Sequence, residues 1–193
     1  MARHSRKPKG KEINPTFYIF CEGETEEAYI KYLKIKYRLP IEIILKITGN
    51  KISERIIRNK IKSSESHTKD KIYLMYDLDV EGFIEKMDEL KKQTKAELLV
   101  SNPCFELWYI LHFANQTAEI SSENCIKKLK TFCPDYQKAI INDKLLSKLN
   151  ENNSEALRRA KKYDLYNNPS TSLFVLIDKL EKIKKLKINC QFM

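Results

Sequence analysis

Glycine and proline are scarce, with four and six in 193 residues. Turn-dense all-β folds draw heavily on both, so that class is disfavoured. Cysteines occur at positions 21, 104, 125, 133 and 190, an odd number with no zinc-site spacing. That usage fits reduced thiols in a cytoplasmic protein. Cys21, inside an apolar run, reads as a small core residue. His4, His67 and His112 are dispersed, so a histidine-built metal centre is not expected. No apolar run reaches the roughly 18 residues of a membrane helix. The basic first residues lack the apolar core of a secretion signal. No membrane partner is therefore expected.

Charge, in contrast, is abundant. The chain is 42% hydrophobic and 32% charged, with a formal net charge of +10. Its length supports one well-buried core, or one core with a helical appendage. The positive balance suits a polyanionic partner, nucleic acid before a membrane surface. Lysine used only for solubility would give the same sum.

Residues 1–15 ("MARHSRKPKGKEINP") are basic and apolar-poor and read as a flexible arm. "TFYIFC", residues 16–21, predicts a buried strand. Thr25 can cap a helix bearing Ala28, Tyr29, Tyr32 and Leu33. "IEIILKI", "KIYLMYD" and "KAELLVS" predict three more strands. "NKISERIIRNKIKS", with Ile52, Ile56, Ile57 and Ile61, predicts a helix between them. So does "EGFIEKMDELKKQT", with Phe83, Met87 and Leu90 facing inward. "NPCFELWYILHF" predicts a helix with Pro103 near its first turn, in which Trp108, Leu111 and Phe113 are core rather than base-stacking residues. The alternation predicts an α/β fold with a mostly parallel sheet of about four strands and helices on both faces.

Beyond residue 115 the pattern changes. "SSENCIKKLKTFC", "DYQKAIINDKLLSKL", "SEALRRAKKYDLY" and "NPSTSLFVLIDKLEKI" all read as helices. No Gly/Ser/Pro-rich linker intervenes, so this helical part (116–193) is expected to pack on the α/β core (16–115) as one domain.

The acidic residues cluster where strands end. "FYIFCEGETEEAYI" gathers Glu22, Glu24, Glu26 and Glu27 around Gly23, which lets the backbone turn into the helix. Acids at a helix start are favoured by the dipole, which accounts for Glu24 and Glu27 better than for Glu22. Asp77 and Asp79, in "YDLDV", point the same way from a strand end. They repel unless a cation lies between them, and hard oxygen ligands suit Mg²⁺, with Mn²⁺ as a substitute. In parallel sheets ligands bind beyond the carboxyl ends of the strands, where both clusters fall. Ser101 and Asn102 end the fourth strand at the same rim. Glu106 follows in the first helical turn, where it either orients a metal-bound water or is a plain first-turn carboxylate.

Strand–"EG"–helix followed by strand–"DxD" resembles the TOPRIM domain of primases, topoisomerases and the overcoming-lysogenization-defect nucleases. "CEGETEE" is similar to the nuclease form, E-G-x-S/T-E. "FCEGETEEAYI", "YDLDV", "SNPCFELWYILHF" and "NPSTSLFVLIDKL" together resemble the RloB-like family, over about residues 16–180. Members are small prokaryotic proteins often encoded in restriction or abortive-infection loci. The resemblance implies a Mg²⁺-dependent nuclease-like centre used in antiviral defence. Glu22 would be a general acid/base or metal ligand. Asp77 and Asp79 would hold the metal, and Glu26 would match a second-metal ligand.

The basic residues extend this expectation. "RRAKKYDLY" interleaves Arg158, Arg159, Lys161 and Lys162 with tyrosines, which suits a nucleic-acid strand. A solvated helix face is the slightly stronger reading. Lys51 and Arg55 have the same standing. The hydroxyls of "NPSTS" suit either phosphate or helix capping. No G-x-x-x-x-G-K-S/T sequence is present, so nucleotide-driven gating would require a companion ATPase. The function expected is a nuclease acting on RNA or DNA. The alternatives are a nucleic-acid-binding subunit of a defence complex, and a TOPRIM protein in replication or RNA processing. The oligomeric state is open.

Overall fold

The computed structural model describes residues 15–39, 41–44, 53–62, 68–78 and 83–191. The basic arm lies outside them, apart from Pro15, as do Lys51, Ile52 and Asp79. Strand β1 (Phe17–Cys21) leads into α1 (Glu24–Tyr37), β2 (Ile41–Ile44), α2 (Glu54–Lys62), β3 (Lys71–Asp77), α3 (Phe83–Thr94) and β4 (Glu97–Asn102). Then come α4 (Glu106–Ile110), α5 (Ser122–Phe132), α6 (Asp143–Glu151), α7 (Asn153–Ala160), β5 (Ser170–Thr171) and α8 (Phe174–Gln191). The sheet order is β2-β1-β3-β4-β5. The first four strands are parallel, as the strand–helix alternation predicts.

The continuous apolar strands are buried on both faces. Phe17, Ile19, Cys21, Tyr73 and Met75 face one core; Tyr18, Phe20, Leu74 and Tyr76 face the other. This is the two-residue alternation of a strand feeding two separate layers. The smaller core is closed by Ile57 of α2 and Leu90 of α3. The larger one runs through α1 and α4 into Leu129, Leu145, Ala156 and Leu176 of the later helices. Trp108 and Leu111 are fully buried in it. Phe113 is partly buried, its ring stacked 5.1 Å from Phe132. Burial pushes the Cys21 thiol up, as suits the core residue expected.

Several boundaries differ from the sequence expectation. Gly23, not Thr25, is the N-cap of α1, and it makes no side-chain cap bond. Thr25 is buried in the first turn, and its Oγ1 accepts a hydrogen bond from the Ala139 N–H at 3.3 Å. Pro103 precedes α4, following Asn102 through a cis peptide bond. "DYQKAIIN" is irregular, and the helix starts only at Asp143, with the Asn142 side chain accepting from Leu145 N–H. α7 stops at Ala160, so "KKYDLY" forms a loop.

"NPSTS" does not open the last helix either. Ser170 and Thr171 pair antiparallel with Asn102 and Ser101, adding a short fifth strand. The hydroxyls of Thr171 and Ser172 are spent internally, while Ser170 Oγ is buried without a hydrogen-bond partner. Ser172 Oγ accepts from Val100 N–H at 2.8 Å, and Thr171 Oγ1 lies 3.1 Å from Ser101 Oγ. Propensity reads these polar residues as caps; pairing with a strand 70 residues away overrides it.

Candidate functional site

Parallel pairing aligns the carboxyl ends of β1, β3 and β4. Cys21, the last residue of β1, pairs with Met75 of β3, and Asp77 pairs with Ser101 of β4. Glu22 therefore leaves the sheet beside Asp77. A cleft of about 440 Å³ opens there, lined by Glu22, Gly23, Glu26, Asp77, Glu106 and Lys138, with Glu24, Thr25 and Phe105 completing its wall. Thus five of the carboxylates singled out in the sequence, Glu22, Glu24, Glu26, Asp77 and Glu106, line one cavity.

Glu26 and Glu106 are its buried pair, 5% and 3% exposed. Burial pushes the Glu26 carboxyl up from 4.5 to about 7, and the negative charges of Glu106 and Glu22 add to the rise. The Glu26 backbone amide and Lys138 oppose it. Tyr136 donates from its hydroxyl to Glu106 Oε1 at 3.0 Å, holding that carboxylate in place.

Gly23 serves Glu26 in a way the sequence reading did not anticipate. Its φ of −121° and ψ of 167° are ordinary extended backbone, so no sharp turn requires glycine. A Cβ there would come within 2.5 Å of Glu26 Oε2. The missing side chain leaves room for the carboxylate.

Glu24 is exposed at the cleft. Glu27 turns away and pairs with Lys31 one turn along α1, in line with its reading as a helix-start acid. Ser101 and Asn102 reach the rim but do not line the cleft. The Ser101 hydroxyl meets Thr171, and Asn102 Nδ2 donates to the Tyr166 carbonyl at 2.9 Å. Both are tied to the segment around β5.

The basic candidates are not gathered around the acids. Arg158 makes a forked contact with Glu155, with bonds of 2.7 and 3.2 Å. Arg159 donates to the Leu111 carbonyl at 2.6 Å. Lys161 pairs with Asp178 at 2.6 Å; Lys162 is exposed. Arg55 is exposed on α2, the helix that covers the opposite face of the sheet from α1. For Arg158 and Arg159 the bland reading, a helix face with its own partners, describes the structure better.

Lys138 is the cation that sequence reasoning missed. It sits in the irregular segment read as helix. Two hydrogen bonds dock that segment on the site, Ala139 N–H to Thr25 and Tyr136 hydroxyl to Glu106. No local spacing signals this, because the contacts join residues 30 and 114 apart.

The donor set is all oxygen, which fits a hard divalent ion that keeps several waters. Among the described residues, no three His, Cys, Asp or Glu side chains stand close enough together to hold an ion unaided. Water ligands and carboxylate rotation within the open cleft would have to complete such a shell. The rise in the Glu26 carboxyl comes first from burial, and the neighbouring Glu106 and Glu22 charges add to it.

This geometry predicts a pH dependence in chelator. Glu26 binds its proton more tightly folded than unfolded, so its stabilising contribution is full below about pH 4.5 and is lost as pH rises through about 7. Glu26→Gln is expected to flatten that decline. Urea midpoints at about pH 5 and about pH 8 measure it; an unchanged slope would place the cause elsewhere.

Among the described residues no helix is long and apolar enough to cross a membrane. Comparison with curated proteins and with solved structures finds no match. The sequence model of the RloB-like protein family matches residues 17–180. That span takes in β1, the whole acidic cleft and the first turns of α8, and the chain belongs to the RloB-like protein family.

Proposed function

We propose that this protein is a Mg²⁺-dependent nuclease that hydrolyses phosphodiester bonds of RNA or DNA in prokaryotic antiviral defence. One observation carries the reading: Glu22, Glu26, Asp77 and Glu106 come from three strand ends into one cleft, with Lys138 beside them. Glu26 and Glu106 are both buried, the charge of one is felt by the other, and Lys138 lines the same cleft. The kinship with the TOPRIM domain belongs to the same proposal.

Asp77 and Glu26, with Asp79 outside the described residues, would hold the ion. Mg²⁺, or Mn²⁺ in its place, would neutralise phosphate charge and lower the pKa of a bound water. Glu22, less enclosed than Glu26, takes the proton of the attacking water. Lys138 holds a non-bridging phosphate oxygen through its ammonium group. Tyr136 fixes Glu106, which accepts a hydrogen bond from water in the cleft. Gly23 keeps the space that the Glu26 carboxylate needs. A companion ATPase would supply any nucleotide-driven gating.

The test is cleavage of single-stranded and duplex RNA and DNA by the purified full chain with Mg²⁺ or Mn²⁺. Asp77→Ala is expected to lower the rate at least about 100-fold, with an unchanged urea midpoint. Wild-type protein inert on every substrate, together with an Asp77→Ala variant that keeps full antiviral protection in cells, would remove the enzyme claim.

A further inference from the structure

Loop 161–169 carries an exposed aromatic that the fold does not use. Tyr163 and Tyr166 share the same sequence stretch but have opposite fates. Tyr163 is half-buried, and its hydroxyl donates to the Gln116 carbonyl at 2.5 Å. Tyr166 and its neighbour Leu165 are each 39% exposed.

The loop is fixed at several points. Lys161 pairs with Asp178. Asn102 donates to the Tyr166 carbonyl. Asn168 closes a two-bond clasp on the Ile120 backbone, at 3.1 and 2.9 Å. Tyr166 itself has φ 73°, a left-handed conformation that costs a bulky residue energy. The fold thus holds Tyr166 in a strained backbone state while leaving its side chain partly in solvent.

Its location gives that exposure a use. β5 runs antiparallel to β4, so the segment entering β5 emerges at the rim where β1, β3 and β4 end. Asn102, which grips Tyr166, follows Ser101, the pairing partner of Asp77. From β3 to β5 is two strand spacings, roughly 10 Å. Lys162, exposed, precedes the exposed pair on the same loop.

We infer that Tyr166 is a stacking platform for an unpaired base of single-stranded nucleic acid, placed along the strand-end rim beside the acidic cleft. This rests on the nuclease reading for its substrate class. The physical basis is independent of base identity: an aromatic face stacks on any base, and the exposed Lys162 near it meets a phosphate. A base inside a duplex has both faces covered, so the platform selects single strands.

The experiment is fluorescence-anisotropy binding of labelled single strands of about ten nucleotides and of the matching duplexes. Full-length protein is used in chelator, so that no cleavage intervenes. Tyr166→Asn removes the ring while keeping a residue that tolerates left-handed backbone. It is expected to weaken single-strand binding about five- to a hundredfold and duplex binding less than about twofold. Tyr166→Phe is expected to bind as wild type. Equal single-strand binding by wild type and Tyr166→Asn overturns the inference, as does equal loss by Tyr166→Phe. Ring-dependent binding by protein that cleaves nothing would keep the platform and sink the catalytic reading. Cleavage with ring-independent binding would do the reverse.

Discussion

Glu22→Gln is expected to lower metal-dependent cleavage by about 10²–10⁴-fold, the usual contribution of a positioned general acid or base. It should leave nucleic-acid affinity within about twofold, because phosphate contacts rather than one carboxylate dominate binding. The fold should survive, since Glu22 follows β1 at an only partly buried position while the strand is anchored by Phe17, Ile19 and Cys21. Single-turnover cleavage and anisotropy binding on the same preparation separate the two readouts. The outcome decides between the readings. A nucleic-acid-binding subunit predicts binding that is indifferent to Glu22 and no cleavage to lose. A nuclease predicts retained binding with the reaction removed. If Glu22→Gln cuts as fast as wild type, Glu22 is not the proton-transfer group, and Glu26 or Glu106 becomes the carboxylate to test.

Trp108→Ala is expected to cost about 3–5 kcal/mol, the range for removing a fully buried large aromatic. Trp108 has no exposed surface. Its ring meets His112 edge-on at 4.8 Å and Tyr29 at 6.3 Å. All five residues of α4 are buried, so the helix has no solvated side into which it can relax. The same helix begins with Glu106, and Tyr29 belongs to α1, the helix that begins beside Glu22. Loss of the indole therefore loosens both walls of the acidic cleft. Urea unfolding measures the stability change. A cost below about 1 kcal/mol would mean that the neighbours collapse into the space. It would leave no support for α4 as a rigid support of the site.

Both expected results draw on residues that the sequence made visible, though to different depths. "FYIFC" and the middle of "KIYLMYD" are nearly continuous apolar runs, as two-sided burial requires. Helices follow them in turn, so the parallel sheet could be read from local pattern. The acids after those strands could be placed as well, because parallel strands end on one rim. Glu22, Glu26, Asp77 and Glu106 meet there.

The polar segments were not legible in the same way. "NPSTS" carries good capping residues, but its Thr171 and Ser172 hydroxyls bond to β4, and the helix begins later. "DYQKAIIN" has helical spacing, but Tyr136 and Ala139 bond to Glu106 and Thr25 instead. Arg158 and Arg159 read as free cations, yet each has found a partner within the fold.

The sequence by itself determined the layered α/β architecture, the fully buried Trp108 and the carboxylates at the strand ends. These follow from short-range periodicity, which the chain states residue by residue. Tertiary structure alone decided that Lys138 enters the cleft and that Gly23 lies against the Glu26 carboxylate. It also decided that Tyr166 stays exposed while Tyr163 does not. Each of these depends on hydrogen bonds or close contacts made when the chain folds back on itself. A polar side chain can be satisfied by many partners, and only the folded chain selects among them.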